Sequence, residues 1–132
     1  MSPFRASRAS RISSVGIAAA LLGSLLALPA FAQPKPADGA LVGATGMTLY
    51  TFDKDTAGNG KSVCNGGCAT NWPPFMAADG DKAAGDFTIV TRDDGKKQWA
   101  AKGWPLYYWV KDAKPGDKTG DGVNGTWKTA KP

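Results

Sequence analysis

Gly46-Met47-Thr48-Leu49-Tyr50-Thr51-Phe52-Asp53-Lys54-Asp55 returns later in the chain as Gly103-Trp104-Pro105-Leu106-Tyr107-Tyr108-Trp109-Val110-Lys111-Asp112. The shared frame is Gly-x-x-Leu-Tyr-x-aromatic-x-Lys-Asp, offset by 57 residues. Each copy runs on through a Gly-rich loop to a tryptophan, Trp72 in the first and Trp127 in the second. Two copies are too few for a solenoid, in which stacked neighbours bury a continuous core. The duplication predicts an all-β fold. It is a small antiparallel β domain of two pseudo-symmetric repeats with long Gly-rich loops, the repeats spanning about 39–79 and 87–132. Each half is expected to complete the other's core.

The motif Tyr50-x-Phe52-x-x-Asp55, repeated as Tyr107-x-Trp109-x-x-Asp112, is the sharpest feature. Residues i and i+2 of a strand share a face, so each tyrosine sits beside an aromatic. The aspartate falls just past the strand end, where it can accept backbone N–H groups in a turn. One reading makes Tyr50, Phe52, Tyr107 and Trp109 core residues, with Asp55 and Asp112 closing equivalent turns. The other makes the aromatics a platform on which a ligand stacks. Packing is favoured, because a folding unit must recur in a duplication whereas a ligand site need not.

Strand signals are clear and helix signals poor. Thr48 to Phe52 is β-prone and is expected to pair with Ala40 to Gly43. Phe87 to Thr91 is the strongest strand, with Asp94-Gly95 as the turn into Lys96 to Ala100. Lys102-Gly103 turns the chain again, and Leu106 to Val110 is predicted as the third strand of a meander. Trp72-Pro73-Pro74-Phe75 reads as a cap over the core. At least two of Trp99, Trp104 and Trp109 are expected inside, since Leu, Ile, Val and Phe make up only 12 of residues 33–132.

The first 32 residues read as a signal peptide. Arg5, Arg8 and Arg11 form a positive start, Val15 to Leu28 is apolar, and Ala30-Phe31-Ala32 is a small-x-small cleavage site. The protein is expected to be periplasmic or secreted, cut after Ala32, with no transmembrane segment after cleavage. Gln33 to Ala37 is then a short extended spacer, the whole spacer being 33–38. Removing the three leader arginines lowers the formal charge from +5 to +2, so the charge gives no argument for nucleic acid.

Absences narrow the chemistry. There is no His and no Glu, and six of the seven Ser lie in the leader. A nucleophilic triad lacks its imidazole base. A four-ligand zinc site is not expected from two Cys and no His. No catalytic residue and no cofactor is predicted.

Cys64 and Cys68 are the only cysteines, and an oxidising destination favours a disulfide across Asn65-Gly66-Gly67. A thiol oxidoreductase prefers Cys-x-x-Cys at a helix start. Copper(I) held by the two thiolates, with Met47 or Met76 adding sulfur, is a further reading. Asp53, Asp55 and Asn59 form one oxygen-rich loop, and Asp117, Asp121 and Asn124 another. Turn roles are preferred there over weak calcium binding, because the spacing is not that of an EF-hand.

With Cys64-Asn65-Gly66-Gly67-Cys68-Ala69-Thr70-Asn71-Trp72-Pro73-Pro74 after its first copy, the repeated Tyr-x-aromatic-x-x-Asp motif resembles the secreted-repeat family of predicted bacterial lipoproteins. The ending Pro115 to Trp127 resembles that family's second repeat. The resemblance covers about Gly39 to Pro132 and implies an extracytoplasmic protein built from repeats, with no assigned biochemical role. A lipobox cysteine is lacking, so no lipid anchor is expected. The functional expectation is an exported, non-enzymatic β domain that binds an envelope component or protein partner, or serves structurally. The alternative is a metal or redox accessory protein using the Cys64/Cys68 loop or the Asp-rich loops.

Overall fold

The computed structural model describes residues 33–132. The expected signal peptide, residues 1–32, lies outside them. Among the described residues, seven short strands and one short helix, α1 (Gly67–Asn71), make up the regular structure, with a 3-10 turn at Val123–Gly125. Among the described residues no helix is long and apolar enough to cross a membrane.

Strands β1 (Lys35–Ala37) and β2 (Ala40–Val42) form a hairpin in which Pro36 faces Leu41. Asp38 and Gly39 turn it, with φ of 51° and 79°. Two consecutive positive φ values match the twist of a two-residue hairpin, which is why Asp-Gly suits it. The stretch read as a spacer is therefore a strand. Its prolines are tolerated because an edge strand does not need every N–H.

Strands β4 (Phe87–Thr91), β5 (Lys97–Ala101) and β6 (Trp104–Pro105) form the expected meander. The third strand is earlier and shorter than the predicted Leu106 to Val110. From Tyr107 the chain leaves this sheet, because its backbone is claimed by the other repeat: Tyr107 bridges both Tyr50 and Pro74. Strand β3 (Tyr50–Phe52) likewise pairs with β7 (Trp127–Thr129), which belongs to the second repeat, with Phe52 opposite Trp127. The expected contact with the 40–43 segment survives as a bridge between Val42 and Thr48.

The repeats interlock through two closed triangles of backbone hydrogen bonds. In the first, Leu49 N–H donates to Leu41, Leu41 N–H to Ala130, and Ala130 N–H to Leu49, each at 2.9 Å. In the second, Leu106 N–H donates to Trp99, Trp99 N–H to Phe75, and Phe75 N–H to Leu106, also at 2.9 Å each. Each triangle takes two segments from one repeat and the tail of the other. Trp72-Pro73-Pro74-Phe75 is thus more than a cap: it feeds repeat one's tail into repeat two.

The same six residues, with Ala101, are the buried members of one core cluster. Side chains alternate along a strand, so the residue after each leucine faces the other way. Tyr50 and Tyr107 accordingly enter a second cluster with Cys64, Trp72 and Trp127. Leu-Tyr in the repeated frame therefore serves two cores at once. Of the three tryptophans weighed for the interior, Trp99 alone is fully buried; Trp104 and Trp109 are half-buried. Aliphatic residues gathered at the triangles fill the first core without them.

Cys64 and Cys68 form a disulfide with Cα atoms 5.2 Å apart. Cys64 is fully buried against the aromatic cluster. The closed ring is small, so its entropic contribution should fall below the ~3 kcal/mol of a 15-residue loop. The Cys64→Ala, Cys68→Ala double variant is expected to fold with a lower melting temperature. A shift of roughly 4–8 °C per kcal/mol makes this loss easy to read by calorimetry.

Candidate functional site

The two motif copies meet at a pseudo-twofold axis. Tyr50 N–H donates to the Tyr107 carbonyl at 2.8 Å, and Tyr107 N–H to the Tyr50 carbonyl at 3.0 Å. From this bridge each phenol crosses into the other repeat. Tyr50 donates its hydroxyl proton to Asp112 Oδ2 at 2.6 Å, and Tyr107 donates to Asp55 Oδ2 at 2.6 Å. All four residues are buried or nearly so.

Each aspartate uses its other oxygen to close its own loop, as the sequence suggested. Asp55 Oδ1 accepts from Val63 N–H at 2.7 Å. Asp112 Oδ1 accepts from Thr119 N–H at 3.0 Å and from the Thr119 hydroxyl at 2.6 Å. Gly120 N–H donates to the Tyr50 hydroxyl at 3.2 Å. Gly120 is required there, since a side chain would collide with Trp72 and Trp109. The motif's tyrosine and aspartate thus belong to one lock made twice, each using the tyrosine of one copy and the aspartate of the other.

The remaining aromatics form a column. Phe52 stacks on Trp127 at 4.2 Å, Trp127 on Trp72 at 3.7 Å and 2°, and Trp72 on Trp109 at 4.0 Å. Tyr50 meets Trp72 edge-on at 5.5 Å, and Tyr107 meets Trp127 edge-on at 5.2 Å. Edge-to-face contacts match the positive rim of one ring to the negative face of another. Tyr50 and Tyr107 are interior, whereas Phe52 and Trp109 are half-buried ends of the column, a departure from the expectation that all four build the core. A cleft of about 360 Å³ opens beside Trp109 and Met47, and one of about 480 Å³ beside Phe52 and Lys54.

Arg92 is the residue that sequence reasoning missed. It opens the Asp93-Asp94-Gly95 turn, its carbonyl accepting from Gly95 N–H at 2.9 Å, yet its side chain is buried and anchors the first lock. Its Nη1 donates to Ser62 Oγ at 3.0 Å and Gln98 Oε1 at 2.8 Å. Its Nη2 donates to the Cys64 carbonyl at 2.6 Å and Asn65 Oδ1 at 3.0 Å. Ser62 Oγ lies 2.5 Å from the Tyr107 hydroxyl. Because the Tyr107 proton goes to Asp55, Ser62 must be the donor in that contact. One signal was available: Arg92 is the single arginine, and Ser62 the single serine, outside the leader.

Burial holds the Tyr50 and Tyr107 phenols protonated well above the ordinary value of 10, and their aspartate partners add to the effect. In the unfolded chain both ionise near 10, so above that pH the folded state binds more protons and stability falls as pH rises. Alkaline titration should therefore show tyrosinate absorbance appearing together with loss of ellipticity; full ionisation of a still-folded chain would contradict the lock. Burial also raises Asp55, against the opposing pull of Tyr107, the Val63 N–H and Arg92. Asp55 therefore favours folding below its raised folded value and loses that contribution as pH climbs through it.

The Asp-rich loops are spread among separate turns. Asp53 pairs with Lys128 at 3.2 Å, Asp117 accepts from Ala113 N–H at 2.8 Å, and Asp121 accepts from Thr129 N–H at 2.9 Å. Among the described residues no three acids or cysteines gather where they could hold a metal ion. Both thiols are spent in the disulfide, which removes the copper(I) thiolate pair.

The family described as a secreted repeat of unknown function matches the chain twice, over residues 35–76 and 88–131. No curated protein and no solved structure matches it. The first span begins at β1, a strand that the predicted repeat of about 39–79 left out; each span ends on the tail that closes the other repeat's triangle. The chain therefore belongs to the family of secreted repeats of unknown function, carrying two interlocked copies.

Proposed function

We propose that the chain is a non-enzymatic module exported by its signal peptide, cleaved after Ala32, and acting in the periplasm or outside the cell as a binding or structural component of the envelope. Its partner is an envelope component or another protein, not nucleic acid. One observation carries the reading: both copies of the repeated motif spend their polar atoms on each other. The carboxylates that would be the obvious reactive groups accept a phenol on one oxygen and loop donors on the other. Such groups fix a scaffold, and buried polar networks that are fully satisfied specify one structure.

Two measurements test this. The extracytoplasmic protein should begin at Gln33 by N-terminal sequencing; a start at Met1 or Ser2 would remove the export claim. The purified protein should sediment with isolated sacculi or with membrane vesicles from the same cells. Protein that stays in the supernatant with both would overturn the envelope role.

A further inference from the structure

The geometry points to a one-electron oxidation site in the second core: the stacked Trp72–Trp127 pair yields an electron, and the electron hole settles on Tyr50 or Tyr107 as the phenolic proton passes to Asp112 or Asp55. This goes beyond the envelope role and does not rest on it.

Three features on one column support it. First, Trp72 and Trp127 lie face to face at 3.7 Å and 2°. Overlap of two indoles lets a positive hole spread over both rings, which lowers the energy needed to create it. Both rings are buried, at 4% and 3% exposure, and show only a small part of their surface to the cleft beside Phe52 and Lys54. Second, Trp109 stacks on Trp72 at 4.0 Å and is half-buried. It brings the column to the surface beside an open cleft, where an oxidant can take an electron without entering the core.

Third, a tyrosine yields its electron readily only when its proton leaves at the same time, because an oxidised phenol is a very strong acid. Tyr50 and Tyr107 each point their O–H at a carboxylate oxygen 2.6 Å away, a charge-assisted bond of the strong class. Each ring also touches the edge of one member of the tryptophan pair. Burial raises Asp55, which makes it a better proton acceptor. Tyr108 is the internal contrast: its hydroxyl lies against Gly43 and takes a bond from the Ala44 backbone rather than facing a carboxylate.

The step balances. An oxyl radical takes one electron from the column and becomes its anion. At Tyr50 the O–H bond breaks and an O–H bond forms at Asp112 Oδ2, leaving a neutral tyrosyl radical beside a neutral carboxyl group. The pair Tyr107 and Asp55 does the same. A one-electron reductant reverses both transfers. Such a core can absorb oxyl radicals without breaking the chain.

Photogenerated tris-bipyridyl ruthenium(III) serves as the probe on the purified chain, with transient absorption and freeze-quench electron paramagnetic resonance as readouts. Wild type should form a neutral tyrosyl radical, more slowly in heavy water. Tyr108→Phe should form it in the same yield. Tyr50→Phe with Tyr107→Phe should leave the hole on the tryptophan pair, visible as a broad near-infrared band. If that double variant fails to fold, Tyr108→Phe decides alone. Loss of the tyrosyl signal in Tyr108→Phe would overturn the assignment. So would a wild-type rate indifferent to heavy water, or oxidation confined to surface methionines.

Discussion

Tyr107→Ala should leave little or no folded protein. The ring is fully buried at the centre of the second core. Truncating a buried aromatic costs ~3–5 kcal/mol through lost contacts and the cavity left behind. Its hydroxyl also satisfies Asp55 and Ser62, both buried. Stranding such partners adds about 1–3 kcal/mol. A domain of this size holds only ~5–15 kcal/mol in all. Tyr107→Phe separates the two contributions, keeping the ring and losing only the hydroxyl. It should fold with a melting temperature clearly below wild type. Circular dichroism and tryptophan fluorescence on both variants check this; a Tyr107→Ala protein melting like wild type would show that the lock is not what holds the repeats together.

Cutting the chain between the repeats should, by contrast, leave it folded, while neither half folds alone. Residues 78–86 join Ala77 to β4 and are almost all exposed. No strand of the three sheets lies there, whereas both hydrogen-bonded triangles and both Tyr–Asp locks span the two halves. A protease site placed at 82–83 should give a nicked protein that elutes as one species. Its melting temperature should then depend on concentration, as for any folded state held by association. Peptides 33–82 and 83–132 should each lack the ellipticity of the whole and regain it on mixing. Independent folding of either peptide would contradict the exchange of tails.

The duplication was readable because its spacing is written in residue types: Leu-Tyr, an aromatic, then Lys-Asp. That fixed the fold class, the repeat count and the turn role of Asp55 and Asp112. Which aspartate each tyrosine meets was not readable. Tyr50 with Asp55 and Tyr50 with Asp112 are equally consistent with two identical frames, and only the antiparallel bridge between Tyr50 and Tyr107 decides it. The third strand was misplaced for the same reason. Leu106 to Val110 has every strand preference, but only Leu106 still bonds β5, at Trp99; from Tyr107 to Val110 the backbone partners are Tyr50, Pro73 and Asn71 of the other repeat. The first hairpin had a signal in Asp38-Gly39, outweighed by prolines that suggested an extended linker. Arg92 was hidden by its neighbours, since Asp93-Asp94-Gly95 speaks for an exposed turn while the guanidinium turns inward to reach Ser62 and Gln98.

The swapped tails impose a parity. A unit that lends its last segment to a neighbour, and borrows one in return, has no complete form by itself. Phe75 is missing from the first repeat's own triangle and Ala130 from the second's, so the smallest self-sufficient number is two. A chain with one such unit would have to find its second in another molecule, closing a symmetric dimer around the axis that here lies between Tyr50 and Tyr107. Chains that grow by adding units should do so in pairs, because a third copy would carry a tail with nowhere to go and an open edge inviting aggregation.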